Sequence, residues 1–416
     1  MPIFEAAPKP PAKPSRPKLE LVPPETIELS EADLVEEPEE IELSAEEVME
    51  VREPGELQEK DVEPAFEIRG FEGLQVSATL EKKDGRKGNP EDRNQDNILA
   101  DPETGLLGVM DGVGGERSGD LASKSVEQTL PEAFQQALKV LRGTDPSIVT
   151  RLIVEQQLAR SGIENPILQG QRRKELTDEV EGFTAHDPDA TRKAFALIES
   201  LRQANAAVSE TGGKTTVCAG FIQRSRDGSR LAVVANVGDS AAFIRKRSGE
   251  IIPLTREDSL QNALLDTGGI DRETLWMMRG EPSRKFPLPI TLALVRALGQ
   301  DQAYYNQLRA QGANQFPLSY LDMKRTIVSA LGSDVAEPSL SLRKLDLGDE
   351  LVFATDGVMD KFEDPTTEEM ALETLARAMS QGRTLIERMN ALRHAAKLRR
   401  TYKVDDDIAI VSAKIE

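Results

Sequence analysis

The 416-residue sequence has few of the side chains that bind transition metals, with one cysteine and two histidines. A lone cysteine, Cys218, excludes a disulfide framework and a thiolate metal cluster. Two histidines, His186 and His394, exclude a site built from several imidazoles. A metal site in this chain must therefore rely on carboxylates, which favour hard cations such as Mg²⁺ or Mn²⁺.

The sequence also lacks long apolar runs and clustered basic charge. No apolar run approaches the ~18–20 residues that a membrane helix needs, and residues 1–18 lack the apolar core of a signal peptide. Acidic side chains number 72 against 52 basic ones, a formal charge of −20, which disfavours a nucleic-acid surface. We therefore expect a soluble, cytoplasmic protein that binds neither membrane nor nucleic acid.

The negative charge is concentrated in the first 66 residues. This segment carries a charge of −13 and 11 of the 24 prolines, whereas residues 67–416 carry only −7. Such a composition cannot bury enough apolar surface to offset its ordering entropy, so residues 1–66 are predicted to be a disordered acidic tail. The repeated Ile-Glu-Leu-Ser at Ile27–Ser30 and Ile41–Ser44 is either chance recurrence in a low-complexity tract or a pair of segments that fold on a protein partner.

Residues 67–416 are predicted to form a single domain of the α+β class. Alternating apolar and polar residues predict a half-buried strand at Leu74–Leu80, and short strands recur along the chain as far as Ile408–Lys414. Apolar residues at helical spacing predict a helix over Gly119–Arg142 and a long helical region over 366–400. Short strands in hairpins with intervening helix pairs favour α+β over an alternating βαβ sheet.

Aspartates stand at the end of an apolar strand at four places, beside glycine or another small residue, and at the start of a strand at a fifth. Taken singly, every such turn has an ordinary explanation, because Asp-Gly is a common hairpin turn and Asp commonly caps helices. Gathered at the ends of one set of strands, however, carboxylates ~4 Å apart would repel by about 4 kcal/mol per pair at an effective dielectric of ~20. Bound divalent cations relieve such repulsion. These turns are Asn94–Asn97, Val109–Gly115, Val237–Ser240, Phe353–Asp360 and Val404–Ile408.

An ordered set of motifs across about residues 70–416 resembles the metal-dependent Ser/Thr protein phosphatase family of the PP2C or PPM type, in its bacterial form. Any one of these motifs is common, and the resemblance rests on their order along the chain. The motifs are Asn94-Gln-Asp96, Asp111-Gly-Val-Gly-Gly115, Gly213-Lys-Thr-Thr216, Val237-Gly-Asp-Ser240, Leu254-Thr-Arg-Glu-Asp-Ser-Leu260, Ala330-Leu-Gly332, Asp356-Gly-Val-Met-Asp360 and Asp406-Asp-Ile-Ala409.

The resemblance implies an α-β-β-α sandwich of two antiparallel sheets flanked by helices, with two Mg²⁺ or Mn²⁺ ions at one end. By motif match, Asp111 would bridge both ions and Gly112 would add its backbone carbonyl. Asp356 and Asp406 would complete one site, and Asp96 would hold the second ion. The matching ligands of a third, weaker site are Asp239, Asp356 and Asp360.

The implied activity is metal-dependent hydrolysis of phosphoserine and phosphothreonine in phosphoprotein substrates. A water molecule activated by the two cations would attack phosphorus in line, with Asp111 and Asp356 as catalytic metal ligands. No phosphocysteine is expected, since no Cys-x5-Arg signature surrounds Cys218. Cys218 is predicted to belong to the core, because it lies in an apolar strand.

The sequence departs from the family pattern where the substrate phosphate is held. Glu91 stands five residues before Asp96, where the family usually has arginine. Arg93 is the nearest substitute, either as a catalytic phosphate ligand or as an ordinary solvated side chain. Val113 stands where eukaryotic members often have histidine, and Ala241 stands where the usual motif has arginine. Two alternatives therefore stay open, a pseudophosphatase acting as a regulatory binding module and a hydrolase of small phosphoesters or nucleotides.

Two segments are longer than the family pattern requires. Residues 143–190 are predicted to be an added helical element, because Gly115 and Thr215 are unusually far apart in the sequence. Residues 259–325 are predicted to form an enlarged flap beside the active site.

Overall fold

The computed structural model describes residues 65–81, 94–113, 118–161, 163, 166–225, 227–281, 283–289, 294–295, 302–310, 315–333, 336–362, 368–398 and 406–416. All of them belong to one of the two units into which the chain divides, Val62–Glu416. The predictions for residues 1–64, including a protein partner for the acidic tail, lie outside the described residues.

Thirteen strands form two large antiparallel sheets and a small hairpin among the described residues. The six-stranded sheet has the order β1-β2-β13-β12-β7-β8, the five-stranded sheet has the order β11-β6-β5-β4-β3, and β9 pairs with β10. The strands are β1 (Phe66–Ile68), β2 (Leu74–Glu81), β3 (Asp96–Asp101), β4 (Leu106–Gly112), β5 (Thr215–Arg224), β6 (Arg230–Val237), β7 (Ala241–Arg245), β8 (Ile251–Pro253), β9 (Phe286–Pro289), β10 (Gln315–Leu318), β11 (Ser339–Leu345), β12 (Glu350–Ala354) and β13 (Ile408–Ile415).

Helices cover both outer faces of the two sheets. The helices are α1 (Gly119–Leu141), α2 (Pro146–Arg160), α3 (Pro166–His186), α4 (Pro188–Thr211), α5 (Leu260–Asp266), α6 (Arg272–Gly280), α7 (Gln302–Ala310), α8 (Tyr320–Arg325), α9 (Asp356–Phe362), α10 (Glu368–Met379) and α11 (Leu385–Leu398). The predicted α-β-β-α sandwich is therefore confirmed. Of the described helices, none combines the length and apolarity needed to cross a lipid bilayer.

The core between the two sheets comes from the inward-facing residues of both. Val76 on β2 and Val411 on β13 belong to the same buried apolar cluster as Val109 on β4. Cys218 on β5 is buried in this cluster, and burial raises the pKa of its thiol well above the usual value. The prediction that Cys218 is a core residue is confirmed.

The outer helical layers pack by their apolar faces. Val126 and Phe134 of α1 and Leu201 of α4 share a buried cluster with residues of the five-stranded sheet. On the other side, α10 and α11 cover the six-stranded sheet. The prediction of one long helical region over 366–400 is wrong in its continuity, because the chain folds back between α10 and α11. A Cβ at Gly382 in this turn would lie 2.3 Å from the amide nitrogen of Arg388, which only glycine avoids.

The two predicted additions have defined structure in their described parts. Residues 143–190 form the helices α2 and α3 and the start of α4, so their predicted helical character is confirmed. Leu158, Leu176 and Val180 anchor α2 and α3 to the core beneath α1 and α4. Residues 259–325 include α5, α6, α8 and the β9–β10 hairpin around an apolar cluster of their own.

Candidate active site

Two aspartates face each other at the ends of neighbouring strands. Asp96 opens β3 and Asp111 stands one residue before the end of β4, and the antiparallel register pairs these two residues directly. Side chains of directly opposed residues have Cβ atoms about 4.5–5.5 Å apart. Gly112 closes β4 and donates its N–H to the carbonyl oxygen of Gln95 at 3.0 Å. The register of β3 on β4 therefore places the two carboxylates side by side.

The second sheet contributes three residues at the same end of the sandwich. Thr355 follows β12, and its hydroxyl donates to Oδ2 of Asp96 at 2.7 Å. Asp407 precedes β13, and its Oδ2 accepts the N–H of Gln95 at 2.8 Å. Asp356 follows Thr355 and opens α9. These hydrogen bonds fix the start of β3 to the facing sheet.

Gly357 allows α9 to start against the residues that precede β13. A Cβ at this position would lie 1.9 Å from the carbonyl oxygen of Asp407. Real Cβ atoms do not approach a carbonyl oxygen so closely, so any other residue would push Asp356 or Asp407 out of place. The glycine of the Asp-Gly motif is therefore required by packing.

Burial and neighbouring charges disfavour ionisation of Asp96. Its side chain is 5% exposed. Burial raises the pKa of Asp96 well above the usual value, the carboxylates of Asp356 and Asp407 raise it further, and the hydrogen bond from Thr355 opposes the rise.

The same effects act on Asp111. Burial again raises its pKa well above the usual value, followed by the charges of Asp356, Asp96, Asp239 and Asp406 in that order. Carboxylates predicted from separate motifs thus act on one another within a single site. We call this set the acidic cluster, and its members are Asp96, Asp111, Asp239, Asp356, Asp406 and Asp407.

The predicted site residues differ in exposure and in how far they can be placed. Asp239 is half-buried in the turn between β6 and β7, and Asp406 is exposed before β13. Asp360 lies in α9, but its side chain is not described. Arg93 lies outside the described residues, so its role in phosphate binding stays a prediction.

The sequence reasoning missed two residues that organise the cluster. The motif match selects Asp406 as the metal ligand, although its neighbour Asp407 is the residue that is 2% exposed and accepts a hydrogen bond from the Gln95 N–H. Thr355 was overlooked although it directly precedes Asp356. For Thr355 the sequence signal is a polar residue directly after the apolar run Leu351–Ala354. A hydroxyl or carboxyl that enters the core at such a point needs a hydrogen-bond partner.

The donor set of the cluster suits a hard divalent cation. It consists of carboxylates, which are oxygen ligands of the kind that Mg²⁺ and Mn²⁺ prefer. Within the described part of the chain, no three or more Asp, Glu, His or Cys side chains are arranged so that they could hold an ion as they stand. The fit therefore rests on the mutually destabilised carboxylates, whose charge a cation would neutralise.

The family of the chain follows from its match to a family model. The model described as protein phosphatase 2C matches residues 153–407, more than half of the chain. The chain belongs to the protein phosphatase 2C family. The match includes Asp239, Asp356 and Asp406, whereas Asp96 and Asp111 precede it.

Solved structures similar to this protein phosphatase 2C member include bacterial phosphatases. PppA, described as a key regulatory component of the T6SS in Pseudomonas aeruginosa, is 16% identical with a TM-score of 0.44, and the match covers 83% of this chain and 99% of PppA. Stp1 from Staphylococcus aureus is 17% identical with a TM-score of 0.46, and the match covers 84% of this chain and 98% of Stp1. The catalytic domain of PstP, in complex with two manganese ions, is 18% identical with a TM-score of 0.39, at 82% and 97% coverage. No curated protein sequence matches this chain significantly.

Proposed function

We propose that this protein phosphatase 2C member hydrolyses phosphoserine and phosphothreonine esters in proteins, with Mg²⁺ or Mn²⁺ held by the acidic cluster. The observation that carries the proposal is the convergence of three further segments, those of Asp239, Asp356 and Asp406–Asp407, on the pair Asp96 and Asp111. Burial and like charges raise the pKa of both groups, an arrangement that costs stability unless a cation compensates it. Such costly arrangements are typical of functional sites.

The ligand roles are carried over from the family motifs, and the surroundings of Asp111 support them. Asp111 would be shared between two ions, because Asp96, Asp239, Asp356 and Asp406 all lie close enough to act on its pKa. A third ion would take Asp239 and Asp356, with Asp360 as a further ligand. The Gly112 carbonyl would complete the set around the bridging residue. When bound, the cations would lower the pKa of a water molecule and screen the phosphoryl oxygens of the substrate.

The chain's own residues orient this site and leave one side of it accessible. Thr355 and Gln95 hold Asp96 and Asp407 across the two sheets. Asp406 is exposed, so a phosphoryl group on the surface of another protein can approach from its side. Val113 has no ionisable side-chain group that could donate a proton, which leaves protonation of the leaving oxygen to water. We assign this activity to residues 67–416, with residues 259–325 as the flap.

The test is turnover of an aryl phosphate and of phosphoserine, phosphothreonine and phosphotyrosine peptides with Mn²⁺, Mg²⁺ or EDTA. We expect metal-dependent turnover that favours the phosphoserine and phosphothreonine peptides. Removing one metal ligand from such a site should lower kcat at least about 100-fold, so Asp111→Asn and Asp356→Asn should be nearly inactive. Asp101→Asn is the matched control, since Asp101 ends the strand that Asp96 begins and lies outside the acidic cluster.

Three outcomes would contradict parts of the proposal. Turnover of the wild type no higher than that of Asp111→Asn would exclude the enzyme and leave the regulatory binding module. Equal turnover of nucleotides and phosphopeptides would argue for a small-molecule hydrolase. A protein carrying Arg93→Ala with an unchanged KM would exclude Arg93 as the phosphate ligand.

A further inference from the structure

The turn that carries Asp239 is held in an unusual backbone conformation. Gly238 has a φ of +106°, a region that other residues rarely adopt. A Cβ at Gly238 would also lie 2.5 Å from the Cβ of Thr216. The side-chain amide of Asn236 donates to the carbonyl oxygen of Gly238 at 3.0 Å. The position of Asp239 therefore depends on the groups that hold Gly238.

Asp258 holds both polar groups of Gly238. Its Oδ2 accepts the N–H of Gly238 at 3.0 Å, and its own N–H donates to the carbonyl oxygen of Gly238 at 2.9 Å. The carbonyl oxygen of Asp258 accepts the N–H of Val328 at 2.7 Å. With its side chain 8% exposed, Asp258 is a buried connector between the turn and the base of the flap region.

The charge partner of Asp258 comes from the last residue of α2, 98 positions earlier in the chain. The Arg160 guanidinium donates from Nη2 to Oδ1 of Asp258 and from Nε to the carbonyl oxygen of Glu337 at 3.0 Å. Burial raises the pKa of Asp258, and the charge of Arg160 is the largest influence that opposes the rise. Arg160 thus stabilises the form of Asp258 that accepts a strong hydrogen bond from Gly238.

The same end of α2 also holds the chain segment that enters β11. The Gln156 side-chain amide donates to the carbonyl oxygen of Pro338 at 2.9 Å, and Oε1 of Gln157 accepts the N–H of Leu340 at 3.1 Å. Ser339 in this segment pairs with Asn236 at the end of β6. Helix α2 therefore reaches the Asp239 turn through Asp258 and also through β11 and β6.

We propose that Arg160 is a positioning residue for the metal site: through Asp258 it fixes the Gly238–Asp239 turn, so that the helical hairpin α2–α3 determines where Asp239 stands in the acidic cluster. The hairpin is then part of the support of the active site and more than a surface addition. The inference deepens the proposed function and rests on it for the metal-binding measurement alone.

The first experiment follows the turn itself in metal-free protein. Amide hydrogen exchange of a peptide spanning residues 238–242 is compared in wild type, Arg160→Ala, Arg160→Lys and Arg173→Ala. Arg173 is the matched control, because its guanidinium pairs with Glu155 within the same hairpin and both side chains are about half exposed. We expect exchange about tenfold faster in Arg160→Ala, an intermediate rate in Arg160→Lys and the wild-type rate in Arg173→Ala.

The second experiment is calorimetric titration with Mn²⁺ of the same four proteins. Arg160→Ala should raise the dissociation constant of the weakest class of bound Mn²⁺ about three- to tenfold and leave the tight class unchanged. Unchanged exchange at residues 238–242 in Arg160→Ala, or equally accelerated exchange in every strand, would overturn the role of Arg160. If the wild type bound no Mn²⁺, the proposed function would fail, and the exchange comparison would still decide the role of Arg160.

Discussion

A single hydroxyl joins the two sheets at the acidic cluster. Thr355 is fully buried, donates to Asp96 and accepts the N–H of Ala409 at 3.0 Å. Valine has the same shape as threonine but lacks the hydroxyl, so it could neither donate nor accept a hydrogen bond at this position. Thr355, which follows β12 of one sheet, thereby supplies a hydrogen bond to the buried Asp96 carboxyl of the other sheet.

Replacing Thr355 by valine should separate hydrogen bonding from packing. Thr355→Val leaves Asp96 and the Ala409 N–H without this partner, so we expect the free energy of unfolding to fall by about 1–3 kcal/mol. Thr355→Ser keeps the hydroxyl and removes one methyl group, for which the expected loss is about 1 kcal/mol. Urea unfolding of the metal-free proteins measures both values. An undiminished free energy of unfolding in Thr355→Val would show that the hydroxyl contributes nothing.

At this scale, sequence reasoning identified carboxylates better than their supports. Asp96, Asp111, Asp356 and Asp406 stand in motifs that combine Asp with small residues at strand ends, and the structure brings them together. The role of Asp407 could not be read from the sequence, because three adjacent aspartates precede β13 and only the direction of the folded chain decides which one enters the core. Such direction is a property of the folded backbone.

Among the described helices, α3 contains a glycine that lowers the stability of the helix. Gly182 lies within α3, is exposed, and a Cβ there would meet no atom within 4 Å. Glycine in a helix interior costs about 1 kcal/mol relative to alanine, so Gly182→Ala should raise the free energy of unfolding by about 0.5–1 kcal/mol. Thermal and urea unfolding measure the gain. A loss of stability would mean that α3 needs the freedom of glycine at this point.

Helix α11 is fastened to the six-stranded sheet by a buried ion pair. The Arg388 guanidinium donates to both carboxylate oxygens of Glu350 on β12, and the two side chains are 6% and 1% exposed. The Arg245 guanidinium lies 3.4 Å from the same carboxylate. Burying charges is costly, and such a pair is retained only with good geometry on both sides.

Breaking this pair should be far more damaging than breaking an exposed one. Arg388→Met leaves the buried Glu350 carboxylate with Arg245 alone, and we expect the free energy of unfolding to drop by about 3–5 kcal/mol. Arg343→Met removes the partner of Glu179 in a pair whose side chains are 50% and 40% exposed, and should cost at most about 1 kcal/mol. If both variants lost similar amounts of unfolding free energy, the buried pair would contribute no more to stability than the exposed pair.

The position of helix breaks was the weak point of the element-level prediction. The pattern over 366–400 predicts helix correctly, but it predicts one helical region where the structure has two helices. The reason is that the apolar faces of α10 and α11 have similar spacing on both sides of Gly382. By contrast, α1 ends within one residue of its predicted end, where Gly143 follows closely. Local turn chemistry therefore sets a boundary well only when the next element runs in a clearly different direction.

For the whole molecule, a bound cation should act as a stabilising ligand. A ligand that binds only the folded state at about 100 times its dissociation constant adds about 2.7 kcal/mol to the free energy of unfolding. We therefore expect Mn²⁺ to raise the Tm of the wild type and EDTA to reverse the rise. Asp111→Asn should show no such rise, whereas Asp101→Asn should respond as the wild type does. A rise of equal size in Asp111→Asn would place the stabilising cation elsewhere.

The layer architecture was predictable from the sequence through the motif order, whereas the pairing of strands was not. Periodicity indicates where a strand lies and which face is buried, but it holds no information on which distant strand becomes its neighbour. The pairing of β13 with β2 and β12 is such a case, and it became visible only in the folded chain.

The order of the six-stranded sheet has a consequence for how the protein folds during its synthesis on the ribosome. Strand β13, the last along the chain among the described strands, lies in the interior of that sheet between β2 and β12. Until residues 408–415 emerge, β2 and β12 have no common neighbour, and both present open edges that can pair with other chains. A transcript cut shortly before this point would yield two half-sheets lacking Asp406 and Asp407 at the cluster. Residues 406–415 must therefore be synthesised before the acidic cluster can assemble.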